Sequence, residues 1–117
     1  MPIETPNLTH EQFINLPYKM GPTSARIAFV GEAPGGDEAA DPFHRPFIGG
    51  SGQEFRRMLN SIGIDDASVY FTNVLKERPP GNNFAKYVAL QPKNYEIYCK
   101  ILAAEFQHLA NVNVIVP

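Results

Sequence analysis

VGEAPGGDEAADPFHRPFIGGSGQEF, residues Val30 to Phe55, sets a glycine- and charge-rich loop between two ordinary apolar elements. It leaves an apolar run, Arg26 to Val30, that has the pattern of a buried strand, and it enters Gln53 to Ile62. There Phe55, Met58, Leu59 and Ile62 recur at helical spacing and predict one apolar helix face. Ser51 is the expected N-cap of that helix and Gly63 its end. Between strand and helix, Gly31 permits a tight turn and Pro34 stiffens it. Gly35 and Gly36 let backbone amides approach a ligand closely.

Working outward, Val69 to Val74 is β-branched and aromatic and predicts a second strand. Lys76 to Pro92 reads as a loop too long to be a mere connection. Tyr95, Tyr98, Leu102, Phe106 and Leu109 predict an amphipathic helix over 93–109, and Val112 to Val116 a third strand. The order β-α-β-α-β implies parallel strands with helices packed on the sheet. Residues 1–24 hold four prolines and read as an irregular arm with one short helical turn, where Thr9 and Gln12 fit a capping box. Residues 25–117 then form a single α/β domain. Ligands of open parallel sheets bind beyond the carboxyl ends of the strands, so the loops 31–50 and 76–92 are expected to build one site together.

A net charge of -2 and a pI near 5.9 give no global attraction to nucleic acid or to an anionic membrane, so any DNA contact must rest on a local face. No stretch has the length of a membrane span or the layout of a secretion signal, which makes a cytoplasmic protein the expectation. The single cysteine, Cys99, leaves no internal disulfide and no Cys-x-x-Cys clamp. His10, His44 and His108 lack metal-site spacing and read as surface residues, so no metal is expected. The glycine pattern is neither a Walker loop nor Gly-x-Gly-x-x-Gly, which weakens a generic nucleotide-binding domain.

Several loop residues admit two roles. Glu32, at the lip of the sheet, either positions and deprotonates a water or caps a backbone turn. Phe47 either stacks on a base or sugar or tucks into the core. Asn73 either reads a nucleobase edge with its amide or forms a strand-end turn. Ser51 and Gly52 either hold a phosphate or simply begin a helix.

Taken in order, Gly31-Glu32-Ala33-Pro34-Gly35-x-x-Glu38, Arg45-Pro46-Phe47-Ile48-Gly49-x-Ser51-Gly52, Thr72-Asn73-Val74 and Arg78-Pro79-Pro80-Gly81-Asn82 form a pattern. It resembles the uracil-DNA glycosylase superfamily, nearest the family 4 enzymes and related phage proteins once described as DNA-polymerase-like. The resemblance runs from about Arg26 to Val116 and implies a three-layer α/β/α parallel sheet. It implies hydrolysis of the bond between base and sugar at a uracil flipped out of DNA, with water as nucleophile and no organic cofactor. Glu32 would orient or activate the water, Phe47 stack on the uracil and Asn73 bond its edge. Gly31, Ala33, Gly35 and Glu38 would line the pocket, and Ser51, Gly52, Arg78 and Asn82 follow the DNA backbone.

Three departures accompany it. The family 4 iron-sulfur cluster uses four cysteines; only Cys99 matches and Glu77 stands where another would be, so no cluster is expected. The segment from Glu38 to Arg45 is about two residues longer than the family's, carrying Pro42-Phe43-His44, so a different pocket rim and a base other than uracil are conceivable. The family's histidine-bearing second catalytic motif would lie beyond Pro117, so the sheet is expected to be truncated after its third strand: either the chain is a fragment, or a partner chain or a second copy completes the sheet. A rival expectation is a catalytically silent DNA-binding or replication accessory module on the same scaffold.

Overall fold

The computed structural model describes residues 8–116. Three parallel strands, β1 (Ile27–Gly31), β2 (Tyr70–Asn73) and β3 (Val114–Val116), form a sheet in the order β2-β1-β3. Five α-helices are present among these residues: α1 (His10–Ile14), α2 (Gly36–Ala40), α3 (Gly50–Ser61), α4 (Phe84–Leu90) and α5 (Pro92–Phe106). Ala28 pairs with Tyr70 and Phe29 with Phe71, and side chains of successive strand residues point to opposite faces. Each face therefore has its own core, as a three-layer α/β/α domain requires. Ala28 and Tyr70 pack with Phe13, Ala25 and Leu109, while Phe29 and Phe71 pack with Leu59 and Val69.

The three strands and the two long helices fall where the sequence predicts them. The arm holds the expected helix: Thr9 accepts from the Gln12 N–H, and the Gln12 side chain accepts in return from the Thr9 N–H. Residues 1–7 lie outside the described residues. From residue 8 onward the arm is packed rather than merely adjacent. Phe13 shares a core with Ala25, and Met20 forms an antiparallel bridge with Phe71. His108 is half-buried rather than free at the surface: it stacks on Phe13 at 4.7 Å, and its Nε2 lies 2.7 Å from the Leu8 carbonyl.

Four local expectations change. The loop 76–92 contains α4, whose N-cap Asn83 accepts from the Lys86 N–H, and the loop 31–50 contains the short α2. Helix α3 begins earlier than expected, with Gly49 and not Ser51 as N-cap, because the Glu38 carboxylate accepts from the Ile48 and Gly49 amides and draws the chain into its turn there. The inward face of α3 is also rotated from the apolar spacing. Met58 and Ile62 are exposed, while Leu59 is buried and Arg56 turns inward over the Phe71 ring at 4.2 Å. At the other end the expectation holds, with Gly63 in the left-handed region at φ 89°. Strand β3 lies at the edge of the sheet, and its Val114, Ile115 and Val116 are all exposed.

Candidate active site

The register places Gly31 opposite Asn73, so the last residues of β1 and β2 meet at the carboxyl end of the sheet. A Cβ on Gly31 would lie 2.3 Å from Asn73 Oδ1 and 3.2 Å from Phe47 Cζ. Glycine is needed here because no other residue leaves room for these two side chains to converge. Beyond them lies a cleft of about 320 Å³, lined by Gly31, Glu32, Ala33, Pro34, Glu38, Phe47, Ser51, Gly52, Phe55 and Asn73. That volume is within the range of small-ligand sites, and the lining combines two aromatic rings with a few convergent polar groups.

Each side chain has a definite support. Phe47 is half-buried: its ring packs 5.0 Å from Phe71 while also lining the cleft, so the core and cleft roles coincide. Its φ of 58° is left-handed, a conformation that costs an aromatic residue on the order of 1–3 kcal/mol and persists only where surroundings impose it. Gly52 allows the close approach of α3, since a Cβ there would sit 2.4 Å from the Phe47 carbonyl group. Glu38 works as a brace: Oε1 accepts from the Gly35 N–H at 2.9 Å and Oε2 from Ile48 and Gly49. It thereby ties the two ends of the loop 31–50 together. Asn73 is buried, and its own carbonyl accepts from Lys76 Nζ at 2.6 Å. Glu32 is exposed at the cleft, and among the described residues its carboxylate has no hydrogen-bond partner, which leaves it free for a water or a ligand.

The other expected positions distribute unevenly. Gly35 is not part of the cleft lining, and its amide is spent on Glu38. Arg78 and Asn82 stand outside this cleft. Arg78 Nε donates to Asn82 Oδ1 at 2.7 Å, and the guanidinium lies 3.5 Å from where a Gly36 Cβ would be, so it flanks the site on the α2 side. Spacing alone missed Arg56 and Gln53, and read Phe55 only as part of the apolar helix face. The signal for Arg56 is an arginine four residues after Gly52 and three before Leu59, on the helix face that meets the sheet.

The longer loop before Arg45 folds on itself. Asp41 accepts from the Arg45 backbone N–H at 2.8 Å and from Nε at 3.0 Å, and these Arg45 hydrogen bonds hold its carboxyl at about 2, below the usual carboxylate range. A depressed pKa contributes stability above the unfolded value near 3.8 that is lost as pH falls through about 2. Asp41→Asn is therefore expected to lower the melting temperature at pH 7 and to lower it much less at pH 2, as read by thermal melts.

The cluster that the resemblance implies does not fit these residues. The sequence offers one thiol, Cys99, and Glu77 is engaged as acceptor for the Tyr87 hydroxyl at 2.5 Å. Burial and the Glu77 charge also push the Tyr98 hydroxyl up to about 12. Among the described residues, no three His, Cys, Asp or Glu side chains are grouped to hold a metal ion.

The structure is thus a parallel α/β domain with a small-ligand-sized cleft at the joined ends of β1 and β2. The family model of the uracil DNA glycosylase superfamily matches residues 18–116, and the chain belongs to that superfamily. It is 48% identical over 73 residues to the type-4 uracil-DNA glycosylase of Archaeoglobus fulgidus, covering 62% of this chain and 36% of that protein. It is 45% identical over 62 residues to the type-4 uracil-DNA glycosylase of Thermotoga maritima, covering 53% and 31%. The same kind of enzyme from Sulfurisphaera tokodaii is 46% identical over 63 residues, covering 53% and 28%. The matched region thus spans about a third of the length of these relatives.

Gly31→Ala tests the convergence. On the function proposed below, pushing the Asn73 amide and the Phe47 ring aside is expected to weaken binding of a uracil-bearing oligonucleotide by about tenfold, and the overpacking to cost the fold about 1–3 kcal/mol. Unchanged affinity would show that the crowding at Gly31 has no part in the site.

Proposed function

We propose that this chain hydrolyses the N-glycosidic bond of a uracil flipped out of DNA, as the first step of base excision. The observation that carries this reading is the convergence of the Asn73 amide, the Phe47 ring and the unpartnered Glu32 carboxylate on one cleft. Phe47 gives the base a stacking surface, and Asn73, with one acceptor and one donor side, bonds the Watson-Crick edge of the pyrimidine. Glu32 holds a water against C1′ of the deoxyribose and takes its proton as the new C–O bond forms. The bond from C1′ to N1 breaks, and its electron pair leaves with the base. Donors at the cleft, such as the Ala33 amide, would stabilise that charge.

Ser51 and Gly52, at the start of α3, and Arg78 with Asn82, beyond α2, follow the DNA backbone on either side. Water is the nucleophile, so the reaction requires neither an organic cofactor nor a metal. On this reading residues 25–117 carry the site and 1–24 are an arm, the exposed edge of β3 accepts a further strand, and the protein works in the cytoplasm of a bacterium or a phage-infected cell. Among the described residues no helix is long and apolar enough to cross a membrane.

The test is excision by the purified chain. Single- and double-stranded oligonucleotides carrying one uracil are incubated with it, treated with alkali and examined for strand cleavage, with thymine in place of uracil as control. Cleavage confined to the uracil position supports the proposal. Folded protein that binds the oligonucleotide and leaves it intact contradicts the proposal and favours a silent DNA-binding module.

A further inference from the structure

The left-handed turn at Phe47 has one dedicated holder. Arg56, on α3, donates from Nε to the Phe47 carbonyl at 3.1 Å and from Nη2 to the Pro46 carbonyl at 3.1 Å. Its third nitrogen, Nη1, reaches Asp66 at 3.4 Å, and the guanidinium lies over Phe71, the ring on which Phe47 itself packs. The side chain is only 18% exposed, so this fork is enclosed and its planar geometry is used in full. Neighbouring groups hold the next residues instead: Gln53 donates to the Ile48 carbonyl, and Glu38 accepts from Ile48 and Gly49. A positive φ on a bulky residue survives only where such contacts impose it.

We propose that Arg56 is the positioning residue that holds Phe47 in the left-handed turn presenting its ring to the base. This rests on the reading that Phe47 stacks on a flipped uracil. Arg56 touches no substrate; it acts through the two carbonyls that bracket the turn. Freed of Arg56, the peptide at Phe47 relaxes toward negative φ, and the ring swings away from Gly31 and Asn73.

Two readouts test the proposal. The first is a double-substitution cycle on binding of a short single-stranded oligonucleotide carrying one uracil, followed by fluorescence anisotropy against its thymine counterpart. Arg56→Ala is expected to weaken the uracil complex by about tenfold, and to change it less than about twofold when Phe47 is already alanine. Arg56→Lys keeps the charge and reaches one carbonyl instead of two, so its affinity falls between wild type and Arg56→Ala. The second readout is the nuclear Overhauser contact between the Phe47 ring and Gly31, present in wild type and lost in Arg56→Ala while the Phe29 to Phe55 contact persists. Full additivity of the two substitutions, or a Phe47 to Gly31 contact intact in Arg56→Ala, would overturn the proposal. A wild-type chain with no preference for uracil sinks the functional reading alone, and the Overhauser contact then decides the role of Arg56. If Arg56→Ala does not fold, Arg56→Lys carries both readouts.

Discussion

On the proposed function, Glu32→Gln is expected to lower the rate of uracil release by about 10²–10⁴-fold and to leave oligonucleotide affinity close to that of the wild type. The substitution keeps the size of the side chain and removes its capacity to take a proton. No hydrogen bond within the described residues depends on the Glu32 carboxylate, so the fold has nothing to lose from the change. Single-turnover release of base from a uracil-bearing strand measures the rate, and anisotropy measures the affinity. A variant that releases uracil as fast as wild type would remove Glu32 from the reaction. A variant that binds poorly while its rate per bound complex is unchanged would make Glu32 a binding residue.

Lys76→Met destabilises the fold by about 3–5 kcal/mol. Lys76 Nζ is enclosed, with 5% of the side chain exposed, and donates to Thr72 Oγ1, the Asn73 carbonyl and Glu105 Oε1. Glu105 is fully buried, and its other oxygen accepts from the Tyr70 hydroxyl at 2.5 Å. Burial lowers the Lys76 pKa, and the Glu105 charge opposes that shift. Removing the ammonium leaves a carboxylate in the core with only a phenol to satisfy it. The double variant Lys76→Met/Glu105→Gln, which keeps an acceptor for Tyr70 and removes the orphaned charge, is expected to recover a large part of the loss. Denaturant unfolding of the three proteins decides the matter. A Lys76→Met variant as stable as wild type would mean that the pair contributes nothing to the fold. Because the same ammonium holds the Asn73 carbonyl, this network also fixes the end of β2 at the site.

The parts of this fold that were legible in the sequence are those whose signal is local. The β-branched and aromatic run at Val69 to Val74 encloses β2, Thr9 and Gln12 make the capping box, and Gly63 stops α3 where a left-handed residue is needed. Helices α2 and α4 escaped notice because five and seven residues are too short for a period to emerge amid prolines and glycines. The face of α3 was misjudged for a different reason. Arg56 counts as polar in any pattern, yet its guanidinium lies flat on Phe71 and takes an inward position that spacing assigned to Met58 or Ile62.

For the site, Gly31, Glu32, Phe47 and Asn73 stood out because each belongs to a short motif at the end of a strand or on the loop that follows. The braces did not. Arg56 lies nine residues from Phe47, Glu38 eleven from Gly49, and Glu105 twenty-nine from Lys76. Such pairings depend on the finished topology and leave no trace in spacing. Gly35 shows the converse: a glycine in a ligand-binding pattern whose amide is consumed by Glu38 within the loop.

On the proposed function, uracil is held between Phe47 and Asn73 at the joined ends of β1 and β2. The most direct measurement is an NMR titration of the isotope-labelled chain with a short single strand carrying one uracil, alongside the same strand carrying thymine. The account predicts that the amide signals of Gly31, Glu32 and Phe47 and the side-chain amide of Asn73 shift together with the uracil strand and stay in place with the thymine strand. Identical responses to the two strands, or shifts confined to residues away from this cleft, would contradict it.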